Sequence, residues 1–145
     1  MAKKFKFRLE KVLEYRKVVK DERKKLLLEK NRVVQSLEQE QERILQAVDN
    51  SELASESLSA AEVEMLGMYK ARLRDELAMN LLQLKKAEEE QEEALLHYQE
   101  AARDEEALVR LKERKQGEHI ELILKEEEKF LDELGTMKGN TQYGD

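Results

Sequence analysis

The sequence predicts an all-α fold, a long two-helix antiparallel coiled-coil hairpin whose second helix is longer than the first. Three observations predict it. The 145 residues contain no proline, the residue that breaks a helix interior by removing a backbone donor. Three of the five glycines lie beyond residue 134, so little interrupts the Leu, Glu, Lys, Gln and Ala text before that point. Apolar residues recur at alternating three- and four-residue steps, which is a heptad seam. With 41% charged and 40% hydrophobic residues, the chain has too little apolar material to fill a compact core of its length. The surplus charge belongs on exposed helix faces.

Helix one is expected over about residues 5–50, with Leu9, Val12/Leu13, Val19, Leu26/Leu27, Val33/Val34, Leu37, Ile44 and Val48 on its seam. Arg16, Arg23 and Lys30 fall at heptad positions that a strict zipper would fill with apolar side chains. Their methylene stems still cover a partner helix. The pattern lapses at Asp49-Asn50-Ser51, which places the connection at about residues 51–58. Ser59-Ala60-Ala61-Glu62 then reads as a capping box, the serine hydroxyl and the glutamate each satisfying one orphan amide.

Helix two is expected over about residues 60–135, its seam running from Leu66 through Tyr69, Leu73, Leu77, Leu84, Ala87, Ala94, Tyr98 and Leu108 to Phe130 and Leu134. Gly135 offers an αL stop, making residues 1–135 one hairpin and residues 136–145 a mobile tail. At the helical rise, the two arms measure about 70 Å and about 110 Å. A fold-back about residue 55 sets Leu9 opposite roughly residue 101 and leaves the last ~30 residues of helix two unpaired. A helix end bearing Leu111, Ile120, Leu124 and Phe130 still needs burial, so it should dock on something else. A bend at Gly67 would give arms of nearly equal length, but a helical glycine costs only about 1 kcal/mol and does not force a turn.

Charge is polarised along the chain. Residues 1–32 carry 13 basic and 5 acidic side chains, residues 33–109 carry 7 and 19, and residues 110–145 carry 7 and 9. Such asymmetry marks partner surfaces or pairing of the basic end with acidic parts of the same hairpin.

Several function classes drop out. A two-helix rod lacks the water-excluding pocket that catalysis needs, so no enzyme is expected. His97 and His119 stand 22 residues apart with no metal-ligand spacing, and neither GxxxxGK[ST] nor GxGxxG occurs. No metal or cofactor is expected. Without cysteine there is no thiol chemistry or disulfide. No apolar run approaches a membrane span, and the N-terminus lacks a signal core, which predicts a cytoplasmic chain. The basic segment Lys3–Arg32 has no following parallel zipper and few aromatics, so nucleic acid is not expected as a partner. The amphipathic start Phe5-Lys6-Phe7 suits at most a weak contact with anionic lipid.

The opening Phe5-Lys6-Phe7-Arg8-Leu9-Glu10-Lys11-Val12-Leu13-Glu14-Tyr15-Arg16 resembles the N-terminal signature of the flagellar FliJ family. Leu111-Lys112-Glu113-Arg114-Lys115 and the terminal Glu128-Lys129-Phe130-Leu131-Asp132-Glu133-Leu134 resemble that family's C-terminal pattern. The resemblance implies a soluble component of the flagellar type III export apparatus, similar to the central stalk of rotary ATPases. It implies insertion of the end bearing both termini into the export ATPase hexamer, contact with the cytoplasmic domain of the export gate, and handling of substrate-specific export chaperones. The protein would then sit peripherally at the inner membrane, through its partners. By the same resemblance, gate-contacting residues are Leu37, Gln41, Ile44 and Val48 on helix one with Tyr69, Leu73, Glu76 and Asn80 on helix two. Several of these also fit the intramolecular seam. Ring-contacting residues are Phe5, Phe7, Leu9 and Arg16 with Arg114, Lys115 and Phe130. The competing readings are a homodimeric coiled-coil scaffold and the equivalent stalk protein of a virulence injectisome.

Overall fold

A computed structural model describes residues 4–54 and 58–142, with side chains described as far as residue 138. Two helices pack against each other, α1 (Glu10–Leu53) and the longer α2 (Ala60–Gln142), and no strand occurs among the described residues. The expected two-helix hairpin is therefore the fold.

α1 starts where the Phe7 carbonyl accepts from the Glu10 amide (3.2 Å) and the Leu9 carbonyl from the Leu13 amide (2.9 Å). Glu10 puts a negative charge in the first turn, where the exposed amides favour it. α2 starts on the serine half of the expected capping box: Ser59 Oγ accepts from the Glu62 amide at 3.3 Å, meeting one of the four amides that a helix start leaves unpaired.

Three expectations need correction. α1 begins at Glu10 and not at about residue 5, and it does not stop at residue 50 but continues to Leu53. Ser51 is 5% exposed and its hydroxyl donates to the Val48 carbonyl at 2.7 Å, so a residue that favours turns is absorbed within the helix. Of the expected connection, residues 55–57 lie outside the described residues. Gly135 does not stop α2 either. No glycine has positive φ and the helix runs on to Gln142, so residues 136–142 of the expected tail are helical; residues 143–145 lie outside the described residues. Gly67 is likewise an ordinary residue inside α2 and does not end a helix there.

The third correction is register. Glu10 meets Lys112 and Leu9 shares a cavity with Leu111, so the α2 partner of Leu9 lies about ten residues beyond residue 101, a slip of nearly three turns. The added turn of α1 moves the fold-back toward Ser59. Less of α2 is unpaired than expected, the overhang starting near residue 120 instead of residue 105.

The chain divides into two units. In Lys20–Ala101, Val34, Leu84 and Ala87 form a buried cluster with Leu37 packed against it, and Ile44, Leu73, Ala94 and Ala101 are also buried. Ala87, Ala94 and Ala101 recur at seven-residue steps. Small side chains at one heptad position let the backbones approach and leave room for the long stems of Arg23 and Lys30. These reach across: Arg23 Nη1 donates to the His97 carbonyl at 2.9 Å and lies 3.8 Å from Glu100, and Lys30 Nζ lies 3.1 Å from Glu90. Gln91 donates to Asn31 at 2.7 Å. In the other unit, Met1–Val19 with Ala102–Asp145, Leu13 is the buried anchor. Arg16 pairs with Asp104 at 3.4 Å, and Lys112 Nζ lies 3.0 and 2.8 Å from the two Glu10 carboxylate oxygens. The charge asymmetry is thus partly spent inside the hairpin.

Candidate partner-binding surfaces

Two surfaces remain after the seam is filled. The first lies at the start of α2. A seam buries one stripe of a helix, and Met65 and Met68 fall outside it, about 70% exposed, with Tyr69 at 39%. Together with Arg72 they line a shallow groove of about 330 Å³. The Arg72 guanidinium carbon stands 5.6 Å from the Tyr69 ring centroid, a cation–π contact that holds the ring against the helix. Beside it, Arg43 binds Glu40 through both Nε and Nη2 and lies 3.7 Å from Glu76. The hydrogen bond from Arg43 holds the Glu40 carboxyl below its ordinary range, and Glu40 in turn raises the guanidinium pKa of Arg43. Flexible thioethers next to an aromatic anchor and a fixed charge cluster suit a protein surface that must adapt to its partner.

The second surface belongs to the unit holding the N-terminus. Residues 4–7 carry no regular structure and lie against α2. Phe5, Phe7 and Leu9 face Leu111 and Leu122 across a cavity of about 650 Å³ with Lys4, Lys6, Arg8 and Lys115 around it, and Glu118, 3.5 Å from Lys115, as the one carboxylate of its lining. The Phe5 and His119 rings stand 5.6 Å apart, tilted by 43°. Beyond Leu122, Leu124, Phe130, Leu131 and Leu134 are all exposed, Phe130 at 60%. This end presents an apolar cavity with a basic rim and, next to it, an uncovered apolar helix face.

Among the described residues no three His, Asp or Glu side chains are grouped to hold a metal ion, and His97 sits beside Glu93 at 3.6 Å on an exposed face. No described helix is long and apolar enough to cross a membrane.

The profile of the Flagellar FliJ protein family matches residues 5–143. The chain belongs to the FliJ family. It is accordingly a flagellar export-related protein of a non-catalytic family. No curated protein and no solved structure matches it.

Against this FliJ chain the expected residues separate sharply. Of the gate set, Ile44, Leu73 and Asn80 are buried in the helix pair and Leu37 packs against its core. Gln41 and Val48 are half-buried at its edge. Tyr69 and Glu76 alone of that set stand on the outside. Of the ring set, Phe5, Phe7 and Leu9 come together at the cavity with Lys115, whereas Phe130 lies farther along α2. Arg114 is exposed and Arg16 is held by Asp104. Sequence reasoning passed over Met65, Met68 and Arg72. Their signal was present: two methionines and an arginine at three- and four-residue steps off the seam, next to the tyrosine already singled out.

Proposed function

We propose that this chain is a coiled-coil stalk and chaperone of the flagellar type III export apparatus, inserting the end with Phe5 and Phe130 into the export ATPase hexamer. The start of α2 contacts the cytoplasmic domain of the export gate, linking ATP hydrolysis to substrate passage. Substrate-specific export chaperones are further partners, and the protein sits peripherally at the inner membrane through these contacts. The observation that supports the reading is the apolar surface on α2 that α1 leaves uncovered, at Met65, Met68 and Tyr69 near its start and from Ile120 to Leu134 near its end. Exposed apolar helix faces gain their stability by packing on a partner, and a link between two machines needs one such surface for each.

The test is capture of the full chain on an export-gate cytoplasmic domain and, separately, stimulation of the export ATPase. Tyr69→Ala with Met68→Ser should weaken gate capture and leave ATPase stimulation intact, and Phe130→Ser with Arg114→Glu should do the reverse. Unchanged behaviour of both variants, with helicity retained, would remove the two-ended assignment.

A further inference from the structure

We infer that two copies of this chain associate reciprocally, the acidic apolar segment Glu126–Leu134 of each seating in the basic-rimmed cavity of the other. The cavity has apolar walls, Phe5, Phe7 and Leu122, and four cations in its lining, Lys4, Lys6, Arg8 and Lys115, against one carboxylate, Glu118, which lies 3.5 Å from Lys115, so its lining is net basic. Its natural occupant is an apolar side chain flanked by carboxylates. α2 carries such a segment: Phe130 and Leu134 are exposed, and Glu126, Glu127 and Glu133 stand within one helical turn of Phe130 on its side of α2.

The segment cannot fill the cavity of its own chain. Phe130 lies about 12 Å beyond Leu122 along an unbroken helix, at about 1.5 Å per residue, and a helix without a break does not fold back on itself. A second copy meets the requirement twice. Leu122, Glu126, Phe130 and Glu133 recur at four-, four- and three-residue steps, so the cavity's edge and the acidic segment share one face of α2. A two-fold axis midway between them, near residue 124, brings each segment to the other copy's cavity at once. Seating one side seats the other, the closed isologous arrangement that most homodimers adopt. Opposite charge steers and orients the encounter. The inference needs no export partner and stands apart from the proposed stalk role. It does use the same end, so the dimer and the ring-bound form exclude each other.

The experiment is sedimentation of the full chain over a wide concentration range at low and high salt. The parent chain should be a salt-sensitive dimer. Lys6→Glu with Lys115→Glu makes the cavity acidic, and Glu126→Lys with Glu133→Lys turns the contact face of the segment basic. Each double variant alone meets like charge at both contacts and should dimerise at least about tenfold more weakly. Mixed in equal amounts, the two variants are complementary at both contacts and should form a heterodimer. All four positions are exposed or at the cavity rim, and circular dichroism of each variant verifies that the helices are kept. A parent chain that stays monomeric at every concentration overturns the proposal. A dimer that survives both double variants overturns it as well, as does a mixture without heterodimer.

Discussion

Asn80 Nδ2 donates to the Leu37 carbonyl oxygen at 3.1 Å, across the helix pair, from a side chain only 3% exposed. Asn80 Oδ1 is buried with no hydrogen-bond partner among the described residues. A half-satisfied amide in a seam costs stability, and its recognised return is a fixed register. Asn80→Leu should therefore raise the melting temperature while allowing slipped pairings, seen as broadened amide resonances around Leu37. A variant with an unchanged melting temperature would mean that the amide is not a burden on the seam.

Burial sorts the gate-contacting candidates by the outcome of truncation. Ile44 and Leu73 are 2% and 3% exposed, so Ile44→Ala or Leu73→Ala leaves a cavity and should cost about 2–5 kcal/mol in urea unfolding. Tyr69 stands outside the seam with its ring against Arg72, and Tyr69→Ala should cost no more than about 1 kcal/mol, well below the two core truncations. A loss of gate capture in Leu73→Ala would then report unfolding, whereas the same loss in Tyr69→Ala would report a lost contact.

The helices, their order and the serine cap were legible because each rests on local chemistry: no proline, a heptad period, and Ser59 three residues before Glu62. Register was not, because it depends on where α1 ends, and Ser51 hides that by bonding back to Val48. The slip of about ten residues moved every cross-helix partner. The candidate site was half legible for a related reason. Period alone places Leu73 and Tyr69 near one stripe, but only the packed pair shows that α1 covers the first and leaves the second open. Arg16, Arg23 and Lys30 interrupt the apolar period visibly, but which carboxylate each one meets, Asp104, Glu100 or Glu90, is fixed only by the register.

Those crossing cations should matter modestly. Lys30 and Glu90 keep 32% and 42% of their side-chain surface exposed, and Arg23 and Glu100 keep 35% and 68%. Solvent screens such pairs to about 0.2–1 kcal/mol each. Lys30→Glu should destabilise by more than that loss, since it sets two carboxylates face to face, and Glu90→Lys in the same chain should recover most of it. The recovery should shrink as salt rises. Absence of rescue at low salt would count against the observed register.

The Glu40 carboxyl titrates below its ordinary range because Arg43 donates hydrogen bonds to it. A lowered folded-state value means that the pair's contribution is present above the ordinary carboxylate pKa and is lost as pH falls through the lowered one. Carboxyl NMR titration should place Glu40 below the ordinary glutamate range, and Arg43→Gln should return it to that range. An identical titration in both proteins would exclude the pair in solution.

Gly67 and Gly117 offer a gain in stability. Each lies inside α2 with ordinary backbone angles, and a Cβ added at either would meet nothing within 4 Å. Alanine there restricts the unfolded chain and strains nothing in the helix, so Gly67→Ala and Gly117→Ala should each stabilise by about 0.5–1 kcal/mol. The two are far apart along α2, and their effects should add in thermal unfolding followed by circular dichroism. Gly67 lies between Met65 and Met68, which gives its substitution a second reading. If the groove needs a rigid helix, Gly67→Ala should strengthen gate capture along with stability; if capture falls while the melting temperature rises, the groove works by yielding at Gly67 as the partner seats.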